Sequence, residues 1–191
     1  IPDSVTSIGE WAFYNCISLT SITIPDSVTS IGDAAFYNCT SLTSITTPNS
    51  VTSIGAGAFL YCRNLTSISI PSSVLTIENN TFSSCENLTT LNIADGVKEI
   101  KGSPFSGCKK LTSATIGKKV SKIGTKAFYG CRKLKTLTIK STKLTSEMIS
   151  SKAFSKTPKN MKVIVPEKKF KEYKSMLIKK GINKKAKFKK N

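Results

Sequence analysis

The sequence has no histidine, a single tryptophan and three methionines. Without histidine there is no Ser-His-Asp or Cys-His nucleophile system and no H-E-x-x-H metal site. No apolar run approaches the ~20 residues that a membrane-spanning helix needs. The six cysteines never pair as C-x-x-C, the usual framework of a zinc site. Positive charge is nearly missing from one half: residues 1–90 hold Arg63 alone against six acids (Asp3, Glu10, Asp26, Asp33, Glu78, Glu86), a net of −5. Those acids form no recognisable catalytic pair, and Gly32 and Gly55 match no phosphate-binding loop. The composition, rich in both serine and lysine, leaves a Ser/Lys arrangement open. Catalysis and a bound cofactor are therefore not expected. No leader opens the chain, since Ile1-Pro2-Asp3-Ser4-Val5 already lies inside a repeating unit. The expectation is a piece of a longer protein, or one whose leader has been removed.

What the chain does have is a period. Phe13, Phe36, Phe59, Phe82, Phe105 and Phe128 are 23 residues apart, and so are Cys16, Cys39, Cys62, Cys85, Cys108 and Cys131. Leu19, Leu42, Leu65, Leu88, Leu111 and Leu134 follow the same spacing. A fixed period of this size means stacked coils, each unable to bury its apolar edge alone. At 191 residues, one such solenoid accounts for the whole chain.

Within a unit, Leu19 to Ile24 reads L-x-x-I-x-I, with period-2 alternation and β-branched residues, so a short strand with one buried face is expected. Pro25 stops it, as Pro2, Pro48 and Pro71 do in their own units. A second short extended piece is expected at Val28–Ile31, with Gly32 permitting a sharp bend. Asp33–Asn38 has helical or 3₁₀ spacing but is too short for an independent helix. Stacking in register puts Phe over Phe and Leu over Leu in one core. The position held by Ile24, Ile70, Ile93, Ile116 and Ile139 is occupied by Thr47 in the second unit.

The pattern I-P-x-S-V-T-x-I-G-x-x-A-F-x-x-C-x-x-L-T-x-I-x-I resembles the BspA-like leucine-rich repeat. The match covers residues 1–140 as six repeats. That resemblance implies a right-handed solenoid from a cell-surface or secreted protein, used in attachment to host proteins and to other cells. Near residue 141 the rhythm slips by three: the next phenylalanine is Phe154 and Thr157 replaces the cysteine, giving a degenerate seventh repeat over 141–166. A capping helix is expected over Glu167–Lys180, with Phe170, Tyr173, Met176 and Leu177 on its buried face and Gly181 at its C-terminal end. Together with a Lys-rich tail, read as an edge strand or a frayed end, it makes up residues 167–191 and closes the core.

The cysteines are expected to be a ladder of buried, reduced thiols. Coils about 4.8 Å apart bring equivalent Cα atoms close enough to bridge, but parallel side chains do not bring their Cβ atoms to the ~3.8 Å that a disulfide requires. Two surfaces are candidates for binding. The first is a pair of outward columns on the strand ladder, expected on its concave face. They comprise Ser21 and Thr23, Ser44 and Thr46, Ser67 and Ser69, Thr90 and Asn92, Ser113 and Thr115, and Thr136 and Thr138. They read as a broad, shallow surface for a protein or glycan, or simply as soluble strand residues that pair along the ladder. Ice binding is a rarer alternative, and mixed Ser and Asn on a curved sheet argue against it. The second surface is basic. Residues 91–191 carry 28 bases against five acids, a net of +23, and Lys109 with Arg132 and Lys110 with Lys133 occupy stacked positions. Nucleic acid, anionic lipid or an acidic cell-wall or host polymer are the partner classes for such a patch, and plain solvation is the alternative. No aromatic platform accompanies it, so an acidic polymer is preferred and specific nucleic-acid binding is not expected. The expected function is that of a monomeric, non-enzymatic adhesion or binding module. The alternatives are a ligand-free spacer and a basic anchor.

Overall fold

The computed structural model describes all of residues 1–191. The first six coils each carry two short strands. They are β1 (Ser7–Ile8) and β2 (Ser21–Thr23), β3 (Ser30–Ile31) and β4 (Ser44–Thr46), and β5 (Ser53–Ile54) and β6 (Ser67–Ile70). Then come β7 (Thr76–Ile77) and β8 (Thr90–Ile93), β9 (Glu99–Ile100) and β10 (Ser113–Ile116), and β11 (Lys122–Ile123) and β12 (Thr136–Ile139). The chain ends with β13 (Lys162–Val165), a 3₁₀ turn (Glu167–Lys169), α1 (Phe170–Lys179) and β14 (Lys187–Lys190).

One strand from each coil joins an eight-stranded parallel sheet in the order β2-β4-β6-β8-β10-β12-β13-β14. Pairing keeps the repeat in register, Ile22 beside Ile45 and Ile45 beside Ile68. Alternation then sends Ile68, Leu91, Ala114, Leu137 and Val163 inward. Behind the sheet, seven phenylalanines form a single stack from Phe13 to Phe154, with ring centroids 5.0–5.7 Å apart. The result is one core of 50 buried residues that runs unbroken from Ile8 to Ile182.

Ser and Thr of the repeat also have structural work. Ser27, Ser50 and Ser73 hydroxyls donate to the carbonyls of Val5, Val28 and Val51 one coil back. The hydroxyls of Thr43, Thr66, Thr89 and Thr112 likewise donate to Thr20, Thr43, Thr66 and Thr89.

The helical or 3₁₀ piece expected at Asp33–Asn38 is instead a run of separate turns. Ala34 (φ 51°) and Asn38 (φ 57°) are left-handed, as are their counterparts in neighbouring coils, and left-handed residues cannot propagate a helix. Alternate N–H groups serve different partners. Tyr37 N–H bonds within its own turn to Ala34 O (3.0 Å), while Phe36 N–H crosses to Ala58 O of the next coil (2.8 Å). Gly32 also has a different reason from the expected bend. A Cβ at Gly32 would lie 2.6 Å from Glu10 N, and one at Gly55 would lie 2.5 Å from Asp33 N. Close approach of successive coils, and not a left-handed turn, demands these glycines.

The short strands β1, β3 and β5 form one parallel sheet, and β7, β9 and β11 form another, with no pairing between β5 and β7. The seam falls where Thr52 and Gly55 give way to Leu75 and Glu78. Lys101, also not glycine, keeps its bond to Ile77 O (2.9 Å), so the seam belongs to the Gly55–Glu78 step.

At the C-terminal end the helix is shorter than expected, because its first turn is 3₁₀. Tyr173, Met176 and Leu177 are buried, and Phe170 is half-buried against the core. Gly181 (φ 112°) ends the helix: its N–H meets Ile178 O (3.2 Å), and Ile182 N–H meets Leu177 O (3.1 Å). This is the Schellman arrangement, and the buried Ile182 supplies its apolar contact. The Lys-rich tail is not frayed. It adds β14 as an eighth rung beside β13.

Candidate binding surfaces

The hydroxyl columns lie where the strand alternation predicts. Ser21, Ser44 and Ser67 are in register, Ser69 pairs with Asn92, and Thr90, Ser113 and Thr136 continue the first column. Thr23 with Thr46, and Asn92 with Thr115 and Thr138, make the second. The columns are exposed from Ser21 to Asn92 and half-buried from Ser113 to Thr138. None of these twelve side chains donates or accepts a hydrogen bond within the protein, which sets them apart from the Thr43–Thr112 series that ties coil to coil. They face solvent with donors and acceptors uncommitted.

Beyond Thr136 and Thr138 both columns change character. Thr136 is followed by Lys162 and then Lys187, and Thr138 by Ile164 and then Lys189. The basic end of the sheet face was not singled out from sequence, because the three inserted residues shift the spacing from 23 to 26 at this coil. The insertion itself was the available signal.

Lys109, Lys110, Arg132 and Lys133 are all exposed. Lys109 is not a free cation: its ammonium lies 2.9 Å from Glu86 in the coil before. It belongs to a set of pairs whose two partners hold equivalent positions in successive coils, with Lys101–Glu78 at 2.8 Å, Lys122–Glu99 at 2.8 Å and Lys118–Asp95 at 3.8 Å. Lys110, Arg132 and Lys133 have no acidic partner. A further cationic cluster surrounds Tyr129, with the Lys156 and Lys126 ammonium groups 4.9 and 5.6 Å from the ring centroid. Lys156, with help from Lys126 and Lys152, lowers the Tyr129 phenol below its ordinary value.

The cysteine column is interior. Cys39, Cys62, Cys85, Cys108 and Cys131 are fully buried, and all six thiols are free. Each buried thiol donates to the carbonyl of the phenylalanine 26 residues back, from Cys39 to Phe13 O at 3.1 Å through Cys131 to Phe105 O at 3.2 Å. Burial pushes Cys39 up to about 11 and Cys108 up to about 12, and raises Cys62, Cys85 and Cys131 as well. A buried thiol that holds its proton so firmly is not a nucleophile at neutral pH. No three Cys, Asp or Glu side chains converge in a way that would hold a metal ion. No helix is long and apolar enough to cross a membrane.

Among solved structures, the chain is similar to the Treponema pallidum leucine-rich repeat protein, at 26% identity and a TM-score of 0.71, over 92% of this chain and 81% of that one. The pneumococcal vaccine antigen PcpA shares the fold at 23% identity and a TM-score of 0.73, over 90% of this chain and 41% of that one. A leucine-rich cell surface protein from Faecalibacterium prausnitzii is 32% identical with a TM-score of 0.55, over 74% of this chain and 47% of that one. The chain thus spans most of the treponemal protein but less than half of the other two. No curated protein matches it. The family model of the BspA type leucine rich repeat region matches in six copies, over residues 1–112 and 52–184. With that coverage and this solenoid, the chain belongs to the BspA-type leucine-rich repeat family.

Proposed function

We propose that this chain is a non-enzymatic binding module of a cell-surface or secreted protein, taking a protein or glycan ligand on the outward face of its eight-stranded sheet. The observation that carries this reading is the pair of columns whose hydroxyl and amide groups are solvent-facing and uncommitted within the protein. A rigid repeat scaffold presents them at regular intervals, so affinity accumulates from many shallow contacts along the stack. Similarity to a leucine-rich cell surface protein supports the setting. The reading is tested by immobilising the chain and measuring retention of extracellular-matrix proteins and glycans. Ser44→Lys, Ser67→Lys and Thr90→Lys in one variant place three charges mid-column without touching the core, and retention is expected to fall sharply. Unchanged retention would overturn the sheet face as the site. A chain that retains nothing is a spacer.

A second reading, an anchor to anionic polymer, is favoured by Arg132 and Lys133, which have no acid beside them, and by Lys162, Lys187 and Lys189 at the end of the columns. Retention on immobilised polyglutamate is expected to collapse at high salt. It is also expected to fall when Lys109, Lys110, Arg132 and Lys133 are all changed to Ser. If retention survives that quadruple change, this reading is dropped.

A further inference from the structure

Exposed and half-buried aromatic rings gather on one edge of the molecule, in the turns and not on the long sheet. Trp11 and Tyr14 are 56% and 42% exposed, with their centroids 5.0 Å apart edge to face. Tyr14 stacks on Tyr37 in the next coil at 4.9 Å, and Tyr37 meets Tyr61 edge-on at 5.6 Å. Beside this ridge runs a shallow groove of about 290 Å³. Its form follows from one repeat position, held by Trp11, Ala34, Gly57 and Asn80 in successive coils. Two small residues between two large ones leave a trough with an indole at one end and an amide at the other.

The polar groups along the trough are half-committed. Asp33 Oδ1 accepts the Ala56 N–H (2.7 Å), which fixes the carboxylate and leaves Oδ2 open. Asn79 Oδ1 accepts the Gly102 N–H (2.8 Å), leaving its amide NH₂ to donate outward. No lysine or arginine lines the groove.

We propose that this trough is a saccharide site for an extended, uncharged β-linked glycan. Trp11 would stack against the C–H face of one pyranose, while Asp33 and the Asn79 and Asn80 amides take hydroxyls of the sugars that follow. A pyranose combines an apolar face with a rim of hydroxyls, and an exposed indole beside a fixed carboxylate and free amides is the complement of that combination. A carboxylate with no cation in the lining selects against an anionic chain. The coils advance by about 4.8 Å, close to the advance per residue of an extended β-linked glycan, so successive sugars meet successive coils. This assignment rests on the binding-module reading above but needs none of the sheet-face hydroxyls.

Trp11 is the only tryptophan, so its emission reports on this site alone. Titrating the intact chain with cellohexaose, chitohexaose and xylohexaose is expected to give a saturable emission change with at least one of them, and none with polygalacturonate. By calorimetry, Trp11→Ala is expected to weaken that hexamer ~10-fold or more, and Asn80→Ala ~3-fold. Both side chains are exposed but stand at left-handed φ, so small shifts of the thermal midpoint are expected, and binding is compared at a temperature where each variant is fully folded. Flat emission with all three hexamers would overturn the site, as would binding that Trp11→Ala leaves intact. A protein ligand lost in Trp11→Ala, with no hexamer bound, would also overturn it. Sheet-face retention abolished by the triple Lys variant but indifferent to Trp11→Ala would preserve the wider reading even if the hexamers fail.

Discussion

From residue 1 to 90 the solenoid carries six acids and one base; from 91 to 191 it carries five acids and 28 bases. Phe36 in the first stretch and Phe128 in the second nevertheless sit in the same stack, each fully buried and each flanked by rings about 5 Å away. Inner positions are held by the coils above and below, so a change in one copy is felt by its neighbours on both sides. Outer positions answer to solvent. They have drifted to an aromatic, mildly acidic edge at one end and a lysine-coated surface at the other. The two ends also close differently. At the far end α1 buries Tyr173, whose hydroxyl accepts the Leu144 N–H at 3.0 Å. In the first coil Phe13 has a ring on one side only and is half-buried.

That contrast in the core gives the largest expected effect. Phe82→Ala, with a ring above and below, should cost ~3–5 kcal/mol in urea unfolding. Phe13→Ala, half-buried, should cost clearly less. Equal losses would mean that position within the stack does not set the energy. A near-native Phe82→Ala would mean that the phenylalanine column is not the core.

Next in size is a pH effect from the thiols. Burial raises Cys39 to about 11 and Cys108 to about 12 from an ordinary 9.0. Above pH 9 the unfolded chain loses these protons while the folded chain keeps them, so unfolding is favoured as pH rises. The stabilisation is complete below about pH 9 and declines as pH climbs toward about 12, at about 1.4 kcal/mol per pH unit for each thiol. Cys108→Ala is expected to make the alkaline decline of the urea midpoint shallower by one thiol's share. An unchanged slope would show that Cys108 ionises equally in both states.

Two inner positions of the first stretch break its own rule: Thr81 stands where the coils before it have Ala35 and Ala58 but donates to Glu78 O, whereas Thr47 is left unpaired. Its hydroxyl is buried without a hydrogen-bond partner, at a site where other coils have Ile. Thr47→Ile replaces an orphaned hydroxyl with an ethyl group, the repeat's usual filling, so a gain of ~1–2 kcal/mol is expected. A loss would mean that the second coil is packed too tightly for the repeat's usual residue.

Much of this molecule is legible in sequence, because a 23-residue period carries strand, stop and core column together. The left-handed turns are only half legible. One position holds Trp11, Ala34, Gly57, Asn80, Ser103 and Lys126, which share no preference, so coil closure imposes the conformation there; the other holds Asn15, Asn38, Tyr61, Ser84, Gly107 and Gly130, where Asn and Gly favour it. Gly32 and Gly55 were visible, but their reason was not, since a neighbouring coil's backbone is absent from any local reading. The hydroxyl columns could be placed from alternation alone, while which hydroxyls were already committed required the coil-to-coil geometry. The Lys109–Glu86 pair lay in plain view as acid and base 23 apart. The aromatic edge was half-visible: Tyr14 and Tyr37 keep the period, whereas Tyr61 is one residue out of step.

The smallest expected effect lies at the ion pairs that link one coil to the next. Lys122–Glu99, at 2.8 Å, is exposed enough for water and ions to screen it, so a double-mutant cycle with Lys122→Ala and Glu99→Ala should give a coupling well under ~1 kcal/mol. That coupling should fade as salt rises. Lys109–Glu86 offers the sharper comparison, because Arg132, with no acid of its own, occupies the next step of the same column. Glu86→Gln should leave stability nearly unchanged yet release Lys109, and retention on polyglutamate should then rise. If Glu86→Gln leaves retention where it was, Lys109 is not part of the anionic contact, and the basic surface is made by Lys110, Arg132 and Lys133.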